Sequence, residues 1–496
     1  MAGCVFFDGQ SGKKTEIKLS RFSARAEGIA SPMQIEIDTA INGKDIKLAG
    51  TFGSAEQLLT NQPLPITIQA NAGKAEISVT GRLESPDAMK GIDLAMNVRG
   101  ANLADLAALA DVPLHDIGPY ELDVKLSETE KGFAFKDLLI KVAGSDVSGS
   151  GTIGLGGERP QLSASLRSEL VTLQDLLPPA KATGEKQKDA TQSAAQTGQG
   201  VKLFSADPLP LVPLNAADVR LDYSAKLIRH QKLDVKDVSF TLALDKGALA
   251  IKPLTARVAD GTLQGDFLLN AAGEKPQLAV NLKGDSIALG PVLRDLQATD
   301  LVEGGELGLA CNLRGSGESI SRIMAGLEGR LLLTVNDARI NNTMINLAGA
   351  DLLTELLKGM NPFVKDDKQT LLDCAVMNLT FRNGQSYSKT GLAFETEKMN
   401  VSGGGTINLK DELLDFSVKP QPKKGIGISA GGLAGLVRLQ GPLSNPKPKL
   451  DELGVAKQAV SIGLALSTGG MSMLGETLFN MATADSSPCK TALAEK

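Results

Sequence analysis

The chain has 496 residues, with 52 Lys and Arg against 57 Asp and Glu and a formal net charge of −5. Its basic residues are scattered, which excludes the concentrated positive surface that nucleic acid requires. With 53 Gly, 22 Pro, 3% aromatic residues and no Trp, the composition suits many short strands and turns and excludes a thick globular core.

At the start, Ala2-Gly3-Cys4 has the spacing of a lipobox, but the charged and apolar regions of a signal peptide do not precede it. No apolar run approaches the ~20 residues of a spanning helix. The first clear strand pattern is Ile92, Leu94, Met96 and Val98, and residues 101 to 110 follow with helical spacing. His115 then falls in a Pro- and Gly-bounded turn, where a surface or supporting role is expected.

Alternation with period two is most regular at Tyr120, Leu122, Val124 and Leu126, with Glu121, Asp123 and Lys125 pointing the other way. It returns at Leu162, Ala164 and Leu166, at Val219, Leu221, Tyr223, Ala225 and Leu227, at Leu278, Val280 and Leu282, and at Leu307 to Leu313. Between Leu162 and its predecessor lies Gly149-x-Gly151-x-x-Gly154, the dinucleotide pattern. Because β-type alternation runs through it, we read these as turn glycines. Residues 138–177 and 253–293 are copies of one unit: strand, glycine turn, strand, Gly-Glu-Arg/Lys-Pro-Gln-Leu turn, strand, short helix.

The stretch from Pro178 to Gly200 has no aliphatic or aromatic side chain beyond Ala and Pro, so it cannot offset its ordering entropy and should be disordered. Helical spacing reappears at 345–360 and at 455–483, the latter read as closing the sheet in preference to lying on a membrane. Domain organisation follows: 1–178 and 204–452 as two parts of a sheet, 179–203 as a disordered insertion and 453–496 as a helical tail.

Chemistry is sparse. Gly427-Ile-Ser429-Ala-Gly431 matches the nucleophile-elbow pattern, yet both histidines, His115 and His230, precede the serine instead of following it. Four cysteines lie far apart, with no Cys-x-x-Cys and no third ligand for a metal. We expect no enzyme activity, no metal and no cofactor. The unusual feature is the apolar face. Lining it are Leu122, Val124, Leu126, Leu221, Tyr223, Leu278, Val280 and Leu282, with too little other protein to cover them unless the sheet curls on itself. An exposed apolar face of this length suits an acyl chain.

Several passages carry a resemblance: Lys202 to Leu211 with Leu214 to Leu221, Ala259-Asp-Gly-Thr-Leu-Gln-Gly265, Gly403 to Leu413, and Val437 to Pro446. In order and spacing they resemble the AsmA family of bacterial envelope proteins, related in architecture to TamB and YhdP. The resemblance implies a mainly β fold: a long curved antiparallel β-sheet forming a taco-like β-groove, with a few short capping helices and a helical C-terminal tail. It implies attachment at the periplasmic side of the inner membrane, with phospholipid and membrane as partners and the outer-membrane assembly machinery as a further one. The function implied is phospholipid transport between the membranes and outer-membrane biogenesis. The competing reading is a structural factor that regulates outer-membrane protein assembly and targeting without carrying lipid. No catalytic residues belong to the family pattern, and the usual anchor helix is missing from this chain. Cys374 and Cys489 resemble positions where relatives carry cysteine, which implies a disulfide stapling the tail to the last strands.

Overall fold

Strands follow one another because apolar and polar residues alternate between turns that only certain residues can make. Asn42-Gly43 and Asn383-Gly384 show the rule. Both residues of each pair have positive φ, at 49° and 77° and at 49° and 71°, the geometry of a two-residue hairpin turn that Asn-Gly favours. The structure is a computed structural model, and it describes residues 2–7, 14–108, 114–177, 202–273, 275–341, 369–397, 399–423, 437–450 and 485–495. The chain divides into two units, one of Met1–Pro179 and Val212–Lys246, the other of Ala180–Leu211 and Gly247–Lys496. Both are mainly β with short helices.

In the first unit, β1 (Ala2–Phe7), β2 (Lys14–Arg25), β3 (Pro32–Ile41) and β4 (Lys44–Ser54) lead to helix α1 (Ala55–Leu59). Ser54 caps that helix by accepting from the Gln57 N–H, while the Gln57 side chain accepts from the Ser54 N–H. Next come β5 (Leu64–Ala72), β6 (Ala75–Ser85), β7 (Lys90–Gly100) and helix α2 (Leu103–Ala107). After them run β8 (Tyr120–Thr129), β9 (Gly132–Val142), β10 (Ser145–Gly154), β11 (Gln161–Thr172) and helix α3 (Leu173–Leu176). Strands β12 (Asp218–His230) and β13 (Leu233–Asp245) complete the unit. Each strand pairs antiparallel with the next, with one exception: β11 and β12 are parallel, Leu162 opposite Val219 and Leu166 opposite Tyr223. The sheet is antiparallel as expected except at this junction. Parallel neighbours need a long return connection, and the chain between Thr172 and Asp218 supplies it.

That connection includes residues 178–200, expected to be disordered, which lie outside the described residues. Its later part belongs to the second unit. There Leu203 N–H donates to the Glu412 carboxylate, Ser321 N–H to the Ser205 carbonyl, and Leu209 N–H to the Glu318 carbonyl.

The second unit runs β14 (Ala248–Val258), β15 (Gly261–Asn270), β16 (Gln277–Ala288), helix α4 (Leu289–Asp295) and β17 (Val302–Ser316). Helix α5 (Ile320–Ala325) precedes β18 (Glu328–Asn341), β19 (Gln369–Arg382), β20 (Gln385–Thr396), β21 (Met399–Asn408), β22 (Leu413–Pro422), β23 (Val437–Pro442) and β24 (Lys447–Leu450), all antiparallel. Helix α6 (Pro488–Ala494) is the described part of the expected tail. The residues 101–110 expected as helix contain α2, whereas 345–360 and 455–483 lie outside the described residues. The two sequence copies correspond element for element: β9 to α3 in one, β14 to α4 in the other.

Glycines 149, 151 and 154 lie inside β10, so the reading of turn glycines is corrected to strand glycines. The β9 register shifts between Gly149 and Gly151. A Cβ on Gly149 would sit 2.1 Å from the Ser165 carbonyl oxygen, so only glycine permits the close approach of β11 at this bulge. No helix follows, so the phosphate-binding geometry of a dinucleotide site is not formed here.

Candidate functional site

Cross-strand registers convert the alternation into continuous rows. In the first unit Phe22, Ile37, Leu48, Ala70, Ile77, Val98, Leu122, Ile140 and Val147 stand opposite one another from β2 to β10. A parallel row passes through Ile68, Val79, Met96 and Val124. One residue along, on the other face, Glu76, Arg99, Glu121, Lys141 and Asp146 form a ladder of alternating charge. Its contacts include Arg99 to Glu76 at 2.7 Å and Lys141 to Glu121 at 3.7 Å. A slip of one residue would exchange the two faces, so the pattern fixes the register as well as the fold.

Of the eight residues expected to line the groove, Val124 is buried. Leu122, Leu126, Leu221, Tyr223, Leu278, Val280 and Leu282 are half-buried. Leu126 faces Leu94 and Phe135. Leu221 faces Ala164 and Leu242. Tyr223 shares a 2.7 Å hydrogen bond with the buried Ser168 hydroxyl, and its ring lies 5.1 Å from that of Phe240. In the second unit, Leu278 faces Leu269, Val280 faces Phe267 and Leu313, and Leu282 faces Gly265 and Cys311. Burial pushes the Cys311 thiol pKa up, so this cysteine is an inert wall residue.

Three of the eight therefore share one part of the first unit's face, two lie across its parallel junction, and three belong to the second unit. Sequence reasoning did not include Ile37, Leu48, Ile68 and Ile77, whose rows begin as far back as β2 and β3. The available signal was the same alternation, in Ile35-Glu36-Ile37 and Ile66-Thr67-Ile68.

Neither unit closes on itself: among the described residues no pairing joins β1 to β13 or β14 to β24, so the faces are not sealed as in a barrel. Cover is local. In the first unit Leu103 and Leu106 of α2 pack beside Ile77, Met96, Val98, Tyr120 and Leu122. In the second, the apolar face from β18 to β22, which continues that of Leu282 and Cys311 within the unit, is filled by the protein. One cluster gathers Leu301, Val302, Ala338, Ile340, Leu372, Phe394 and Val401 with Leu289 and Leu293 of α4. Another gathers Leu327, Leu379, Phe381, Leu409, Leu414, Phe416 and Leu439 with Phe204 and with Met324 of α5.

The opposite face of β19 and β20 is also covered. Val376 and Ala393 pack under Cys489 and Ala492 of α6, and Cys374 is bonded to Cys489, 115 residues away in sequence. Asn378 donates to the carbonyls of Ala492 and Glu495, each at 2.8 Å. The carboxylate of Glu495 accepts from Lys389 N–H and Thr390 N–H, both at 2.7 Å. Burial works to raise its pKa, but hydrogen bonds from Lys389, Thr390 and Ser388 outweigh it and hold the carboxyl below its ordinary range.

Among the described residues no catalytic constellation is assembled. Ser429 lies outside the described residues. His230 closes β12 beside the Arg229–Asp234 pair, with contacts of 2.7 and 2.9 Å, and His115 sits in the connection before β8. Among the described residues, the cluster of metal-ligand types is Cys374, Cys489 and Glu395, and its sulfurs are consumed by the disulfide. No described helix is long and apolar enough to cross a membrane.

Comparison with known proteins places the architecture. The chain is 25% identical over 473 residues to the AsmA family protein YhjG of Escherichia coli (strain K12), covering 92% of this chain and 67% of that protein. The family model described as AsmA family matches residues 32–390, from the start of β3 into β20, and so takes in both sets of apolar rows. On that match, the chain belongs to the AsmA family.

Proposed function

We propose that this chain is a non-enzymatic bacterial envelope protein whose unsealed apolar sheet face holds the acyl chains of phospholipid. It acts on the periplasmic side of the inner membrane, in lipid transport to the outer membrane and in outer-membrane biogenesis. One observation carries the reading: apolar rows cross strand after strand from β2 to β10, most of their side chains are only half-buried, and the cover given by α2 is confined to the neighbourhood of Ile77, Met96, Val98 and Leu122. An apolar surface of that extent is costly in water and generally serves a ligand. A lipid tail of about 16 carbons is stabilised by ~0.8 kcal/mol for each CH₂ removed from water, on the order of 10 kcal/mol in all.

Mass spectrometry of lipids co-purifying with the chain tests this. The account expects stoichiometric phospholipid, and its absence from gently purified protein would favour the structural role in outer-membrane protein assembly. Val124→Asp places a carboxylate at a buried position and should cost about 3 kcal/mol or more. Val280→Asp, at a half-buried position, should remove bound lipid with a smaller loss of stability. Lys283→Asp should change neither, because Lys283 points to the wet face, where it pairs with Asp285 at 2.8 Å.

A further inference from the structure

Most of the exposed apolar side chains in the connections of the first unit lie at one end of its strands, with Leu114 and Leu177 at the other. Ile29 is in the β2–β3 turn, Leu58 and Leu59 are on α1 between β4 and β5, Met89 is in the β6–β7 turn, Leu155 follows β10, and Val212 lies in the approach to β12. Leu59 is 76% exposed, Met89 70% and Val212 84%. Hydrogen bonds link these loops into one rim. Glu56 N–H donates to the Ile29 carbonyl, Asp87 N–H to the Asn61 side chain, Leu155 N–H to the Lys131 carbonyl and Asp218 N–H to the Pro160 carbonyl. At the other end of the strands four connections are tight turns, Asn42-Gly43, Gly73-Lys74, Ala143-Gly144 and Gln231-Lys232, and two more carry α2 and α3.

We infer that this rim is a membrane-docking edge that inserts its apolar tips into the interfacial layer of an electrically neutral lipid surface. The tips are scattered over separate turns, with at most two together at Leu58 and Leu59, and Ile29, Leu59 and Leu155 have Gly or Thr beside them. A folded partner would find no contiguous apolar core to pack against, whereas a deformable lipid surface accepts separate tips. The rim spans β2 to β12, roughly 50 Å measured along the sheet at ~4.8 Å per strand. Its charge selects the kind of surface. Its charges are mixed, with Arg25, Lys90, Lys131 and Arg159 interspersed among Glu27, Glu56, Asp87, Glu130 and Glu158, so it presents no basic cluster. Anionic lipid should gain no added hold on this edge, since that attraction depends on clustered basic residues. Docking by the rim goes beyond lipid carriage and does not require it, so the two are read separately below.

The absence of Trp makes the test direct. Leu59→Trp, Val212→Trp and, at the opposite rim, Leu177→Trp each give the full chain a single reporter. Phosphatidylcholine vesicles should shift the emission of the first two to shorter wavelength and leave the third unchanged. The triple variant Ile29→Asp, Leu59→Asp, Met89→Asp should fold normally, keep its co-purifying lipid and bind these vesicles about tenfold more weakly or worse. High salt should not weaken binding of the unaltered chain. Several outcomes overturn the proposal: silent rim reporters, an equal response at Leu177→Trp, binding that requires anionic lipid, or a shift that follows protein concentration without vesicles. Lipid lost from the triple variant while vesicle binding persists would overturn it as well. Absent cargo lipid with intact vesicle binding would refute lipid carriage and leave the docking edge standing.

Discussion

Glu495 shows how one side chain can hold an element in place. Its carboxylate meets backbone N–H groups and hydroxyls around Lys389 and Thr390, about a hundred residues away in sequence, and these hold its pKa below the ordinary carboxyl value. A depressed folded pKa means the stabilisation is fully present above the unfolded value near ~4.3 and disappears as pH falls through the folded one. Acidification through that window should therefore raise hydrogen exchange in Pro488–Ala494 before the strands exchange. Glu495→Gln should raise exchange there at neutral pH, by about 2 kcal/mol of lost protection; unchanged exchange would contradict the assignment. No sequence signal marks Glu495, because its partners come from a distant hairpin. Val124 and Leu122 were legible, because their own neighbours alternate in polarity.

Helix α6 is an element that period and composition do not announce. Seven residues make a marginal helix alone, and its stability comes from the disulfide, the Asn378 amide and the Val376–Ala393 surface beneath it. Linking positions 115 residues apart restricts the unfolded chain strongly. In denaturant melts, Cys374→Ser with Cys489→Ser should cost about 4 kcal/mol. The oxidised, denatured protein should titrate two thiols, Cys4 and Cys311, and four would remove the staple. The pairing was legible only through the family resemblance. The parallel β11–β12 pair was hidden for another reason: alternation looks the same in parallel and antiparallel strands, and direction is set by the connection between them.

Across the molecule, two kinds of sheet face coexist. In the first unit, and from β14 to β16 of the second, the apolar rows are largely half-buried, while from β18 to β22 the second unit's apolar face is filled by clusters that include α4, α5 and Phe204. Period two revealed that an apolar face exists, strand by strand, and so the mainly β fold was readable from residues such as Tyr120 to Leu126. It did not reveal which stretches are filled, because a packed row and an open row have the same alternation. Lipid should therefore contact the earlier strands and not the filled ones. Photo-crosslinking amino acids placed at Leu122 and Val280, on the apolar face, and at Lys141 and Lys283, on the wet face, test this most directly in living cells. The account predicts phospholipid adducts at Leu122 and Val280 and none at the two lysine positions. Equal labelling on both faces, or no lipid adduct at Leu122 and Val280, would contradict it.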